Sequence, residues 1–116
     1  MNCRANLRKV FERALPQDAR ILASDEGPTL ILLATWRLTT DPKRPSKRSR
    51  LLRIVVSEEA LEDYARGSAG VRLASDARFT AWLESRLAHF DPDHQAPLGV
   101  EPPAETWELG TLDLNR

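Results

Sequence analysis

The sequence predicts an α+β domain of two layers, in which an antiparallel β-meander is covered on one face by two or three helices. Apolar residues recur at helical spacing near the N-terminus, alternate with period two over 29–40 and 50–56, and return to helical spacing over 57–90. The expected order is α-β-β-β-α-α, with a fourth, C-terminal edge strand left open. A chain of 116 residues can bury a core of its own, so a single domain, 1–116, is expected.

The first segment has the spacing of an amphipathic helix. Its apolar side chains recur every three or four residues, and Pro16 ends the helix. The members of this stripe are Cys3, Leu7, Val10, Phe11, Ala14 and Leu15. A short strand is expected over 20–23, and the turn residues of "SDEGP" (24–28) separate it from the next strand.

The two period-two segments predict neighbouring antiparallel strands. Their core-facing residues are Leu30, Leu32, Ala34, Trp36, Leu38, Leu52, Ile54 and Val56. The expected register sets Trp36 opposite Ile54, and Arg37 would then lie opposite Arg53 on the outer face. We expect the helices to cover the face that carries Trp36.

Two helices and an extended segment complete the prediction. Ser57 is a suitable N-cap for a helix that ends at Gly67, and Ser75–Asp76 is expected to open the next helix. A proline-rich connection over 91–105 leads to the C-terminal extended segment. Its apolar residues predict an edge strand with a bulge at Gly110. Docking on the chain's own sheet is favoured over addition to a partner's sheet.

The chain has no net charge, but its charge is divided unevenly. Residues 1–53 carry 12 Lys or Arg against 5 Asp or Glu, a balance of +7, and residues 54–116 carry the opposite balance of −7. Five of the cations lie between Asp41 and Arg50, so we expect an exposed basic hairpin loop over 40–50. Such asymmetry bears on association with a partner rather than on fold.

The basic hairpin face is the candidate binding site. Its residues are Arg37, Lys43, Arg44, Lys47, Arg48, Arg50 and Arg53. The expected partner is an acidic protein surface, which includes the acidic half of a second copy. The alternative partner is a nucleic acid, because a cationic β-ribbon can follow a phosphate backbone, although the loop has no aromatic residue for stacking on bases. In a third interpretation the loop is solvated, and the chain's own acids in 58–63 or 101–108 pair with the arginines.

We expect neither catalysis nor a cofactor or metal. The sequence contains no glycine-rich phosphate loop and no nucleophile motif. The His and Asp residues of 89–94 are metal-ligand types, but they lie in a turn that ends a helix. Glu58 and Glu59 are typical of a first helical turn, and Cys3 belongs to an apolar stripe. These residues therefore favour a binding domain that is not an enzyme.

The expected location is the cytoplasm. Cys3 is the only cysteine, so a disulfide within one chain is excluded. The longest apolar run, Leu30 to Ala34, is too short to span a bilayer, and the N-terminal segment is charged and amphipathic rather than a signal peptide. No membrane partner is expected.

Two resemblances to known families accompany these patterns. The order helix–strand–strand–strand–helix over 3–66 resembles the double-stranded RNA-binding domain. That family has a basic N-terminus on its second helix, whereas Glu58 and Glu59 stand here, so the resemblance is one of topology. The runs "RPSKRSR" (44–50) and "FDPDHQAPLGVEPPAETW" (90–107) resemble a family of small uncharacterised proteobacterial proteins over most of the chain. This second resemblance implies no activity.

Overall fold

Helices packed on one face of a four-stranded sheet form the fold in the computed structural model. The structure describes residues 3–24, 27–38, 48–93 and 103–115. Its elements are α1 (Cys3–Ala14), β1 (Arg20–Ala23), β2 (Leu30–Thr35), β3 (Leu52–Val56), α2 (Glu58–Arg66), α3 (Ala69–Leu87), β4 (Glu105–Leu109) and α4 (Thr111–Asn115). The predicted α+β class is confirmed.

The strands lie side by side in the order β1-β2-β3-β4. β1 pairs with β2 and β2 pairs with β3 in antiparallel fashion, as a meander requires. β4 pairs with β3 in parallel, because α2 and α3 carry the chain back along the sheet before β4 begins. The sheet is therefore mixed. β4 is the C-terminal edge strand that the sequence analysis gave as an option.

Alternate residues of the strands point into one hydrophobic core. The buried strand residues are Leu30, Leu32, Ala34, Leu52, Ile54, Val56, Trp107 and Leu109. The helices contribute Leu7, Val10, Phe11, Ala60, Tyr64, Phe79, Leu83 and Leu114. Trp36 belongs to the same core, so the helices cover the face of the sheet on which it lies, as expected. Trp107 and Leu109 come from the C-terminal segment, which therefore completes the chain's own core.

α3 begins six residues earlier than the sequence predicts. Ser68 caps this helix by accepting a hydrogen bond from the N–H of Val71 at 3.3 Å. Ser75 is fully buried inside the helix, and the carboxylate of Asp76 accepts a hydrogen bond from the Tyr64 hydroxyl at 2.7 Å. The expected start at Ser75–Asp76 is wrong because both residues lie inside the helix, where Ser75 is buried and Asp76 bonds to the neighbouring helix.

The bulge expected at Gly110 is also wrong. β4 ends at Leu109, and the chain turns directly into α4. The N–H of Gly110 donates to the Asp113 carboxylate at 3.1 Å, and the carbonyl of Gly110 accepts from the N–H groups of Asp113 and Leu114. A one-turn local network therefore replaces the strand, and Leu114 enters the core from a helix.

The register between β2 and β3 differs from the expected one. Leu32 pairs with Ile54 and Leu33 with Arg53, so Arg37 does not oppose Arg53. Arg37 instead pairs with Arg48 in an isolated antiparallel bridge.

The strand pairing also contains a bulge. Ala34 pairs with Leu52 and Arg37 with Arg48, so three residue steps on one strand oppose four on the other. Ser49 holds this bulge, because its Oγ accepts the Trp36 N–H at 3.0 Å and its N–H donates to the Trp36 carbonyl at 2.7 Å.

We predict that Ser49→Ala destabilises the protein by about 1–3 kcal/mol, because the Trp36 N–H would lose its acceptor in a buried position. Urea unfolding measures this difference in the free energy of unfolding. The exposed Ser85 is the matched control, and Ser85→Ala should stay within about 0.5 kcal/mol of the parent. Equal stabilities for the two variants would contradict the role given to Ser49.

We predict that the protein loses stability in alkali through Tyr64. Burial, helped by the hydrogen bond to Asp76 and by its charge, raises the pKa of the Tyr64 phenol far above its ordinary value. Above roughly pH 10 the unfolded chain therefore loses this proton while the folded chain keeps it, so stability is unaffected below that pH and falls above it.

Tyr64 is the only tyrosine of the chain, so the ultraviolet absorbance of the phenolate reports this group alone. The absorbance should rise together with unfolding, and Tyr64→Phe should remove this part of the pH dependence. Ionisation near the ordinary pKa in the folded protein would contradict the prediction.

Candidate functional site

The outer face of the sheet, opposite the helices, carries the candidate site. On β2 the outward residues Ile31, Leu33 and Thr35 alternate with the buried ones. The same alternation along the chain puts Arg37 on the outer face, where it is exposed, while Trp36 is buried in the core. Arg48 pairs with Arg37 and therefore lies on the same face.

Three arginines from separate segments converge at one end of this face. Arg20, Arg37 and Arg48, here called the basic cluster, line an open recess of about 380 Å³ together with Asp18. Arg20 is the first residue of β1 and pairs across the sheet with Thr35. Among the described residues, three arginines and one aspartate line this recess, so their charges leave an excess of positive charge.

The backbone and Thr35 orient the side chains of the recess. The Asp18 carboxylate accepts the backbone N–H of Arg37 at 2.8 Å. The Arg48 guanidinium donates from Nε to Thr35 Oγ1 at 3.1 Å and from NH2 to the Thr35 carbonyl at 2.8 Å. Arg37 and Arg48 pair across the two strands, so two like charges lie on the same side of the sheet at this end.

The structure separates the arginines of the predicted binding face. Arg37 and Arg48 meet in the recess, whereas Arg53 lies further along the outer face, between Leu33 and Thr106. The predicted residues Lys43, Arg44 and Lys47 lie outside the described residues, as does most of the loop expected over 40–50.

Arg50 belongs to the packing of the core rather than to the basic cluster. Its side chain is 11% exposed and forms a 3.4 Å ion pair with Glu105. Its Nε donates to the Asp91 carbonyl at 2.9 Å, and its guanidinium lies 4.9 Å from the centre of the Phe90 ring. The chain's own Glu105 therefore pairs with this arginine. In the third interpretation of the sequence, such pairing is expected for all the arginines of the loop.

Sequence reasoning missed Arg20. The predicted meander sets the strand over 20–23 beside the next strand but gives no register between them, so the face of Arg20 is not specified. With the observed register, the period of two sets Arg20 and Leu22 on the same face as Thr35 and Arg37.

An acidic recess lies away from the basic cluster on the same sheet. Glu58, Glu108 and Asp113 line a recess at the opposite end of the sheet, beside Thr29. Since a strand advances about 3.3 Å per residue, the six residues from Thr29 to Thr35 separate the two recesses by roughly 20 Å. Asp18 is thus the carboxylate that the described chain places among these arginines.

A third recess lies beside the aromatic residues that follow α3. It measures about 290 Å³ and includes Arg86, His89 and Trp107. The Arg86 guanidinium stacks 4.6 Å from the centre of the Trp82 ring, and Trp82 meets Trp107 edge to face at 6.0 Å. These contacts pack the end of α3 against β4. The positive charge of Arg86 in the last turn of α3 also interacts favourably with the helix dipole.

The remaining residues whose side chains could bind a metal or act as a nucleophile have structural contacts. The Asp91 carboxylate accepts the N–H of Asp93 at 3.1 Å, which closes the turn after α3. His94 lies outside the described residues, and among those that are described no group of three or more His, Cys, Asp or Glu side chains converges. Cys3 packs, half-buried, against the core.

No family model, curated protein or solved structure matches this chain. The resemblance to a small proteobacterial family therefore stays a prediction. Within the described ranges no helix combines the length and the apolar character that crossing a membrane requires.

We predict that Arg50→Ala lowers the free energy of unfolding by about 1–3 kcal/mol, because it removes an ion pair, a hydrogen bond and an aromatic contact together. Arg53 is the matched control, since its side chain makes no hydrogen bond or ion pair with the described residues, and Arg53→Ala should cost less than about 0.5 kcal/mol. Urea unfolding compares the two variants. Equal losses would show that Arg50 is a surface arginine like Arg53.

Proposed function

We propose that this protein is a small, non-enzymatic interaction domain whose basic cluster binds an acidic protein surface. The observation that carries the proposal is the convergence of Arg20, Arg37 and Arg48 on one open recess, where Asp18 is the one acid among the described lining residues. The planar guanidinium group binds carboxylates through paired hydrogen bonds and is enriched at protein interfaces. The half-buried Cys3, the only cysteine, agrees with a cytoplasmic location.

The surroundings of the recess favour a protein over a nucleic acid. The cluster is compact, while a phosphate backbone is best met by a stripe of cations. Among the described residues that line the recess there is also no aromatic side chain on which a base could stack.

One acidic surface of the required kind is present in the chain itself. The recess formed by Glu58, Glu108 and Asp113 lies at the other end of the sheet, so it cannot reach the basic cluster of the same molecule. A second copy could offer it head to tail. Such a contact is heterologous and leaves one recess of each kind open, which allows further copies to add.

We predict that Arg20→Gln weakens binding of a fluorescent peptide made of Glu, Ser and Ala by about 3- to 10-fold, as expected for one charge at the rim of an interface. Fluorescence anisotropy measures the affinity, which should also fall between about 50 and 200 mM salt because exposed charges are screened. Arg20 is exposed, so melting should be unchanged. Arg78→Gln, which removes an exposed arginine of α3, is the matched control.

The same measurements decide between the partners. No binding of the acidic peptide at the lower salt, or equal losses in the two variants, would contradict the proposal. Tighter binding to duplex DNA or RNA than to the peptide, again weakened by Arg20→Gln, would replace it with nucleic-acid binding. Sedimentation velocity at low and high salt tests the head-to-tail version, and a monomer at every concentration would exclude that version alone.

A further inference from the structure

Next to the basic cluster, the outer face of the sheet is aliphatic. Leu22, Ile31, Leu33 and Val55, here called the aliphatic patch, are neighbours across β1, β2 and β3. Leu22 pairs with Leu33 and is 69% exposed, which places it among the most exposed large apolar side chains of the described structure. A leucine held in solvent on a sheet face is a marker of a binding surface when other apolar residues adjoin it.

The aliphatic patch and the basic cluster form one surface. Arg20 lies two residues before Leu22 on the same face of β1, and Thr35 lies two residues after Leu33 on β2. Arg53 flanks the patch from β3, where it pairs with Leu33. A partner that covers Leu22 therefore also meets guanidinium groups at one end and along one side.

The opposite end of the patch carries the other charge. Ile31 pairs with Val55, and Val55 pairs with Glu108, whose side chain is exposed on the outer face of β4. Positive charge at the Arg20 end and negative charge at the Glu108 end make the surface directional. A partner with its carboxylates at one end fits it in one orientation.

Strand addition at the β1 edge is obstructed, so the partner must use the face. The N–H of Ser24 donates to the Ile31 carbonyl, so the carbonyl of Ile21 points away from β2, towards the edge. The Arg8 guanidinium donates to this carbonyl at 3.0 Å. An extended peptide would have to displace Arg8 before it could pair with β1.

We infer that this surface binds an acidic amphipathic helix, whose aliphatic stripe covers Leu22 and Leu33 while its carboxylates reach the basic cluster. The inference rests on the proposed function and specifies the chemistry of its partner. Along β2 the distance from Ile31 to Arg37 is roughly 20 Å, which corresponds to about 13 residues of α-helix. A stripe at spacings of three and four residues presents its aliphatic side chains in one row, as packing on a sheet face requires.

The test compares two synthetic peptides of about 14 residues with identical composition of Leu, Ala, Glu and Gln. In one peptide the leucines form a helical stripe and the glutamates lie at one end, and in the other the order is scrambled. Anisotropy should show the striped peptide binding at least tenfold more tightly, because only it can bury its leucines on the patch.

Two leucines of nearly equal exposure provide the matched variants. Leu22→Ser should weaken the striped peptide about tenfold and leave the scrambled peptide unaffected. Leu73 is 71% exposed on α3, away from the sheet, so Leu73→Ser should change neither affinity. Both side chains lie in solvent, so thermal melting should confirm that both variants stay folded. Arg20→Gln should weaken both peptides.

The outcomes separate this inference from the proposed function. If both peptides bind equally and Leu22→Ser has no effect, the amphipathic partner is overturned while the acidic one stands. If neither peptide binds, both fail. If sedimentation shows a dimer that Leu22→Ser dissociates, the patch is covered by a second copy and the helical partner is overturned.

Discussion

The two hydrogen bonds between Trp36 and Ser49 are the constraint on which the rest of the surface depends. The alternation of β3 would place residue 48 on the same face as Leu52, beneath the helices. The extra residue of the bulge shifts the alternation by one, so Ser49 is buried and Arg48 emerges beside Arg37 on the outer face. Without this bulge the recess would lack one of its three guanidinium groups.

The bulge also explains why two arginines that are two positions apart in the sequence have different roles. Arg48 lies on the outer face and bonds to Thr35, where its charge adds to that of Arg20 and Arg37. Arg50 lies on the other side of the bulge, where Glu105 and the Phe90 ring enclose it. Buried charges are tolerated when they are paired, and exposed ones are available to a partner. The position of each side chain relative to the bulge therefore decides whether it stabilises the fold or forms the surface.

The helices all pack on one face of the sheet, and the other face defines what the domain can bind. Its outward residues combine the aliphatic patch with arginines at one end and Glu108 at the other. An interface of this composition gains affinity from apolar burial and orientation from charge. The acidic recess at the far end of the sheet keeps its own charges roughly 20 Å from the basic cluster. The arginines of the basic cluster come from the basic half of the chain, and the acids of the acidic recess come from its acidic half.

The sequence by itself determined the elements whose signals are local. Helical spacing and Pro16 predicted α1, and the Ser57 cap with Gly67 predicted α2, because these patterns need no distant partner. Period-two alternation predicted which residues of β2 and β3 are buried. The class of the fold followed from these elements and their order.

Tertiary structure decided what depends on pairs of distant residues. The predicted start of α3 is wrong because Asp76 bonds to Tyr64 instead of capping the helix. The predicted C-terminal bulge is wrong because Asp113 bonds to Gly110 and the chain turns into α4. Of the residues that the sequence predicts for binding, Arg37 and Arg48 line the recess and Arg50 is enclosed by Glu105 and Phe90, while Arg20 is added by the pairing of β1 with β2. The alternation of side chains gives the face of a residue only where no bulge interrupts the strand pairing. Here the bulge that is held by the hydrogen bond between Ser49 and Trp36 interrupts it. Such a contact joins residues 13 positions apart, so no local pattern in the chain could reveal it.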